Sequence, residues 1–345
     1  MRFLFVVFCV VCSCSYASAI SEKVVICGIC RDVESRLPHT IAIMEKIGAL
    51  FQDYRIVVYE NNSIDGTKNQ LRRWRQRNSR VLVQSEDINR GDLAKSIINV
   101  KNDGHFYRPE EIARARNIVL DRAMSEEFQD FPYIIWMDMD FKIPPALRGI
   151  VEVFQSGREW DAVFAYGIDP RNTYWDWYAF RDAVYPLGSE FLGNDWWYMK
   201  KQFSLSQSDD WYPVYSAFGG CGIYKKSSIE GCRYSAIVTN DLETWMKQMQ
   251  EQGFHHHQIL MYQESLKKLH RTVYIPSPVS NLPRIEDPNV GIILNEAPDA
   301  VVWRMSSFVY QYPSVCEHVP FHASMIVRGH GKLYINPRLV FTYGG

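Results

Sequence analysis

The 345-residue chain carries almost no net charge, because 38 Lys and Arg stand against 39 Asp and Glu. Without a basic field nothing holds a nucleic acid backbone, so that class of partner is excluded. Long hydrophobic runs are also missing. The longest apolar stretch near the start, residues 3–11, falls well short of the ~20 residues that cross a bilayer, and no permanent membrane span is expected. Internal repeats and low-complexity tracts are absent, which excludes solenoid and fibrous architectures. Cysteine is sparse: of eight, Cys9, Cys12 and Cys14 precede Ile20, leaving Cys27, Cys30, Cys221, Cys232 and Cys316. An odd number excludes a complete disulfide framework, and Cys221 with Cys232 is the nearest pair by separation.

Met1-Arg2, the apolar run and Ala17-Ser18-Ala19 form the pattern of a secretory signal over residues 1–19. A secretory-pathway or exported protein follows, in the ER or Golgi lumen or in the periplasm or medium. An uncleaved anchor, or lipid on Cys12 or Cys14, is the alternative. Hydrophobic residues at 47% and charged residues at 22% are ordinary for a globular protein. Aromatics are not: Trp 10, Tyr 20 and Phe 18 make 14% of the chain, suited to cores and equally to sugar faces.

Between Ile20 and Asp140, short β-branched runs alternate with helical patterns. Strands are predicted over 23–27, 55–59 and 81–84, with helices over 37–51 and 68–77, the arrangement of parallel strands with crossover helices. A helix over 110–128 has Ile112, Ala115, Val119 and Ala123 on one face, and residues 131–137 form a buried strand. Residues 161–166 read as a strand, 174–215 as an aromatic-rich insertion, 239–270 as mostly helix and 276–295 as loop.

The buried strand ends in Asp138-Met139-Asp140. Residues i and i+2 of extended chain share a side, so both carboxylates can face one site beyond the strand end, where α/β sheets bind ligands. Two hard oxygen donors suit Mg2+ or Mn2+ held jointly with substrate phosphates. Strand 55–59 runs into Glu60-Asn61-Asn62-Ser63-Ile64-Asp65-Gly66-Thr67, where Asn61 can offer a donor and an acceptor to a base or ribose. Cys27-Gly28-Ile29-Cys30 has the context of a thioredoxin-type redox motif, against the alternative of two small residues at a buried strand end. Arg114 and Arg116 lie on different helix faces, so at most one points at phosphate and the other is a surface charge. The run Arg72, Arg73, Arg75, Arg77 reads as a solvated face. His255-His256-His257 point three ways on a helix and are read as surface.

These motifs carry a resemblance. Glu60 to Thr67, Ala113-Arg-Ala-Arg-Asn117 and Trp136-Met-Asp-Met-Asp140 resemble, in order, three motifs of nucleotide-sugar glycosyltransferases of the GT-A fold. The helix and metal strand are similar to fungal Golgi mannan-polymerase subunits. Tyr174-Trp-Asp-Trp-Tyr-Ala-Phe-Arg-Asp182 is closer still to the fungal capsule-associated alpha-1,3-mannosyltransferase-like family, from whose pattern Trp175 and Phe180 depart. The resemblance implies one Rossmann-like GT-A domain: a central mixed, mainly parallel sheet, a nucleotide-sugar-binding half over 20–140 and an acceptor half over 141–345.

It further implies a glycosyltransferase moving a hexose, mannose from GDP-mannose by family, to a glycan hydroxyl. Gly28, Arg31, Glu60, Asn61 and Asp65, with Arg116, Asn117 and Asp138, would bind the donor. Trp175, Asp176, Trp177, Arg181 and Asp182 would bind the acceptor. Cys316-Glu317-His318 resembles an acidic motif acting near the acceptor, making Glu317 and Asp140 catalytic and letting His318 join Asp138 and Asp140 at the metal. Two other readings stand beside it: a carbohydrate-binding protein of the same fold without transfer activity, and a thiol oxidoreductase built on Cys27 and Cys30.

Overall fold

The computed structural model describes residues 20–89, 108–141, 146–186, 188, 203–236, 239–251, 274–275, 302–304, 310–311 and 315–343. The proposed signal segment, His255 to His257, the 276–295 loop and Asp195 to Tyr198 lie outside them. In chain order the first half runs β1 (Ile20–Cys30), α1 (Leu37–Gly48), β2 (Phe51–Asn61), α2 (Thr67–Arg77), β3 (Val81–Glu86), α3 (Arg108–Ala123) and β4 (Tyr133–Met137). The second continues with α4 (Leu147–Gln155), β5 (Ala162–Ile168), β6 (Tyr212–Pro213), β7 (Cys221–Lys225) and α5 (Asn240–Glu251). Short strands β8 (Tyr274–Ile275), β9 (Val302–Arg304) and β10 (Tyr310–Gln311) make a separate small sheet. Helix α6 (His318–Val327) and β11 (Leu333–Thr342) close the described chain.

Eight strands form one sheet in the order β3-β2-β1-β4-β7-β5-β11-β6. From β3 to β4 every pairing is parallel; β7 is antiparallel to both β4 and β5, and β11 is parallel to β5. This is the mixed, mainly parallel sheet expected of a GT-A architecture. The chain reverses its direction of growth at β1, which takes β2 on one side and β4 on the other. The carboxyl ends of β1 and β4 therefore open onto a crevice, the place where such sheets bind ligands.

Both faces of the central strands are covered, which explains their continuous apolar sequence. In β1, Val25 and Cys27 enter the core beneath α3 and α6, while Val24, Ile26 and Cys30 enter the core shared with α1, α2 and α4. Cys27 and Cys30 are thus on opposite faces, buried and free, and burial pushes both thiols up. A redox pair needs two sulfurs on one side and an accessible thiolate, so the oxidoreductase reading falls. Cys221 and Cys232 are likewise free.

Helix α1 buries Leu37, Thr40, Ile43, Met44 and Ile47 at three- and four-residue spacing and ends at Gly48, short of the expected Phe51, which opens β2. In α2 the apolar stripe is Leu71 and Trp74, and Arg72, Arg73, Arg75 and Arg77 face solvent as read from the sequence. Glu45 of α1 accepts from Trp74 Nε1 and Asn78 Nδ2, each at 2.8 Å, tying the two helices together. Helix α3 stops at Ala123, and the rest of the predicted span becomes a short turn around Phe128.

Candidate active site

A cavity of about 760 Å³ opens at this crevice. The turn after β4 supplies Asp138, Met139 and Asp140 to its lining; Met139 is buried against Gly28, while Asp140 is exposed. Helix α3 contributes Arg116, the aromatic segment Trp175 and Asp176, the start of α6 Glu317 and His318, and the end of β11 Tyr343.

Arg116 is the centre of the charge arrangement. Its Nε donates to Glu317 Oε1 at 3.0 Å and its Nη2 to Asp138 Oδ1 at 3.4 Å, linking acids from two distant parts of the chain. Its guanidinium lies over Phe218, Trp136 and Tyr234, and Nη1 has no protein partner. Burial alone would lower the pKa of Arg116; Glu317 and Asp138 outweigh it and hold the group charged. Arg114, expected to be a surface charge if Arg116 faced the site, is instead bound to Tyr59 Oη at 2.7 Å and Glu86 at 2.8 Å.

Burial pushes the Asp138 carboxyl up to about 7, against the pull of Arg116 and with repulsion from Asp140 and Asp176. Burial likewise pushes Asp176 up to about 6, although the Gly219 amide donates to it at 2.8 Å. Two such carboxylates could hold a divalent ion together with a ligand's phosphates, without a third protein ligand. His318 lines the same cavity, and among the described residues no three His, Cys, Asp or Glu side chains gather as a metal group. Its ring stacks on Phe218 with centroids 4.1 Å apart, Nε2 lies 3.4 Å from Glu317, and burial with the Arg116 charge keeps it neutral.

Of the remaining expected donor residues, Arg31 and Asn61 line the cavity. Arg31 pairs with Glu111 at 3.3 Å. Gly28, Glu60, Asp65 and Asn117 stand outside the lining, and each has a structural partner. A Cβ on Gly28 would meet Met139 Sδ at 2.6 Å, so the glycine makes room for that side chain. Glu60 is fully buried, accepting from the Ser63 amide at 2.7 Å and from Ser85 Oγ. Asp65 accepts from the amides of Glu34 at 3.0 Å and Thr67 at 2.9 Å. Asn117 pairs with both the amide and the carbonyl of Tyr234 at 2.9 Å.

The Glu60 to Thr67 segment is chiefly a lacing. The Asp32 amide donates to Ser63 Oγ, the Ile64 amide to Asp32 Oδ1, the Val33 amide to Thr67 Oγ1 and the Gly66 amide to Glu34 Oε2, at 2.8 to 3.1 Å.

The expected acceptor residues also divide. Trp175 lines the cavity with 55% of its surface exposed, beside Asp176. Trp177 instead packs among Tyr174, Phe180, Tyr185 and Phe203. Arg181 is buried and donates to the carbonyls of Phe180 at 2.7 Å and Tyr178 at 3.1 Å. Asp182 is buried and accepts from Tyr212 Oη at 2.7 Å and the Val184 amide at 2.8 Å. Phe218 and Tyr343 are among the lining residues that sequence reading did not name. Phe218 was signalled only by the following Gly219-Gly220, whose φ of +62° and +88° mark a tight turn before β7. Tyr343 had no signal, being an isolated tyrosine after the last strand.

The family described as Cryptococcal mannosyltransferase 1 matches residues 23–268, more than half of the chain. The chain belongs to this family. The matched span carries every cavity residue named above except Glu317, His318 and Tyr343. No curated protein matches it.

Among solved structures, the mannosyltransferase PcManGT from Pyrobaculum calidifontis, in complex with GDP-Man and Mn2+, is 14% identical with a TM-score of 0.37; 64% of this chain and 49% of that one are covered. Residues 1–349 of S. aureus TarS give 12% identity, a TM-score of 0.35 and coverage of 62% and 50%. Glucosyl-3-phosphoglycerate synthase from Mycobacterium tuberculosis, in complex with Mn2+, UDP and glucosyl-3-phosphoglycerate, gives 14%, 0.33, 61% and 59%. The match spans about half the length of the first two proteins.

Proposed function

We propose that the chain transfers a hexose, mannose by its family description, from a nucleotide-diphosphate sugar such as GDP-mannose to a glycan hydroxyl, with Mn2+ or Mg2+ as cofactor. The observation that carries this reading is the convergence of Asp138, Asp140, Arg116 and Glu317 on one cavity at the topological switch of the sheet. Asp138 and Asp140 would hold the divalent ion, which when bound neutralises the charge that develops on the leaving diphosphate. Asn61 offers hydrogen bonds to the nucleoside, and Arg116 keeps a fixed positive charge beside the carboxylates. Glu317, on the far side of Arg116, faces the positive charge that grows at the anomeric carbon. Trp175 offers an exposed indole face to a sugar ring.

A donor screen with Mn2+, reading released nucleoside diphosphate, tests the reading. Asp140→Asn should reduce turnover by about 10²-fold or more, with the melting temperature nearly unchanged because Asp140 is exposed. Full activity of that variant with metal chelated would overturn the assignment. Glycan binding by calorimetry with no nucleotide binding would favour a carbohydrate-binding protein instead.

A further inference from the structure

Tyr343 stands one residue beyond β11, yet it is fixed on three sides. Its amide donates to the Ile168 carbonyl at 2.9 Å, at the end of β5. Its hydroxyl donates to Asp138 Oδ2 at 3.1 Å. Its ring lies 5.6 Å from Phe341 and 6.2 Å from the exposed Trp175, and the Trp175 amide in turn bonds to the Gly167 carbonyl at 3.0 Å. The end of β5 therefore anchors both rings side by side at the cavity.

The Asp138 carboxylate is consequently held from both sides, Oδ1 by Arg116 and Oδ2 by Tyr343. A carboxylate has about four lone-pair directions. With one on each oxygen engaged, the carboxylate is oriented while a lone pair on each remains for a cation. We propose that Tyr343 is a positioning residue whose hydroxyl orients Asp138 for a divalent cation and whose ring backs Trp175, so that one side chain sets both ends of the site. This rests on the metal-dependent reading given above. It goes beyond it in assigning a residue to which the sequence motifs give no role.

The test titrates Mn2+ alone into the intact protein, counting free ion by electron paramagnetic resonance, for wild type, Asp138→Asn and Tyr343→Phe. Loss of a hydrogen bond to a charged group should weaken Mn2+ binding in Tyr343→Phe by about tenfold, and Asp138→Asn should weaken it further. The phenyl ring still backs Trp175, so the acceptor KM of Tyr343→Phe should stay at the wild-type value. Tyr343→Ala should raise it roughly fivefold as Trp175 loses its neighbour. A Tyr343→Phe protein that melts lower but binds Mn2+ like wild type would make the residue merely structural and overturn the proposal. If Asp138→Asn weakens Mn2+ binding and Tyr343→Phe does not, the proposal fails while the metal reading stands. If neither variant weakens it, the metal reading fails and the proposal goes with it.

Discussion

Glu317 meets Arg116 at 3.0 Å, touches the Cys316 thiol at 3.6 Å and is almost entirely buried. An acid so placed holds Arg116, and in the proposed reaction it would face the reacting sugar. Glu317→Gln keeps the shape and removes the charge, leaving Asp138 as the carboxylate nearest Arg116. Transfer should slow by about 10²-fold in single-turnover kinetics while donor affinity stays near wild type. A fall in donor affinity with an unchanged chemical step would place Glu317 with the donor instead. At this scale the sequence was legible at the end of the buried strand, where Asp138 and Asp140 both line the cavity. It was illegible at Glu60, Asp65, Asn117 and Asp182, because polar side chains that cap turns have the same composition as those that meet a ligand.

The elements read well where one face is apolar and poorly where none is. Helix α3 shows a clear period, and β1, β2 and β4 show unbroken apolar runs. Helix α6, with His318 to Met325 buried throughout and Pro320 inside its first turn, offers no polar face and no amphipathic period. Helix α4 is interrupted in sequence by Gly149, and the structure explains that residue. A Cβ there would come within 2.5 Å of Leu339 Cα and 2.6 Å of the Arg338 carbonyl, backbone that does not yield as a side chain would. Gly149→Ala should destabilise the protein by about 1–3 kcal/mol in denaturant unfolding, even though alanine is the better helix former. An unchanged or raised midpoint would show that α4 can lift from β11 without loss.

For the molecule as a whole, one sheet separates two cores, and its acid sensitivity follows from what is buried beneath the cavity. His322 bonds to Ser216 at 2.9 Å and Tyr224 at 3.0 Å, and burial followed by the Arg116 charge lowers it to about 3. The unfolded chain takes up this proton near pH 6.5 and the folded one does not, so the stabilisation is present above about pH 6.5 and is lost as pH falls toward 3. Asp138 and Asp176, raised by burial, act in the opposite direction. Comparison with His322→Gln isolates the histidine. The stability advantage of wild type over this variant should narrow steadily from pH 7 to pH 4, measured by urea unfolding, and a constant gap would contradict a neutral buried His322.

The lacing of the two loops after β1 and β2 has a consequence for binding. Five hydrogen bonds between them fix the rim beside Asn61 before any ligand arrives. The conformational entropy of that rim is surrendered when the chain folds, so a nucleotide docking against it immobilises little further backbone and keeps more of its contact energy as affinity.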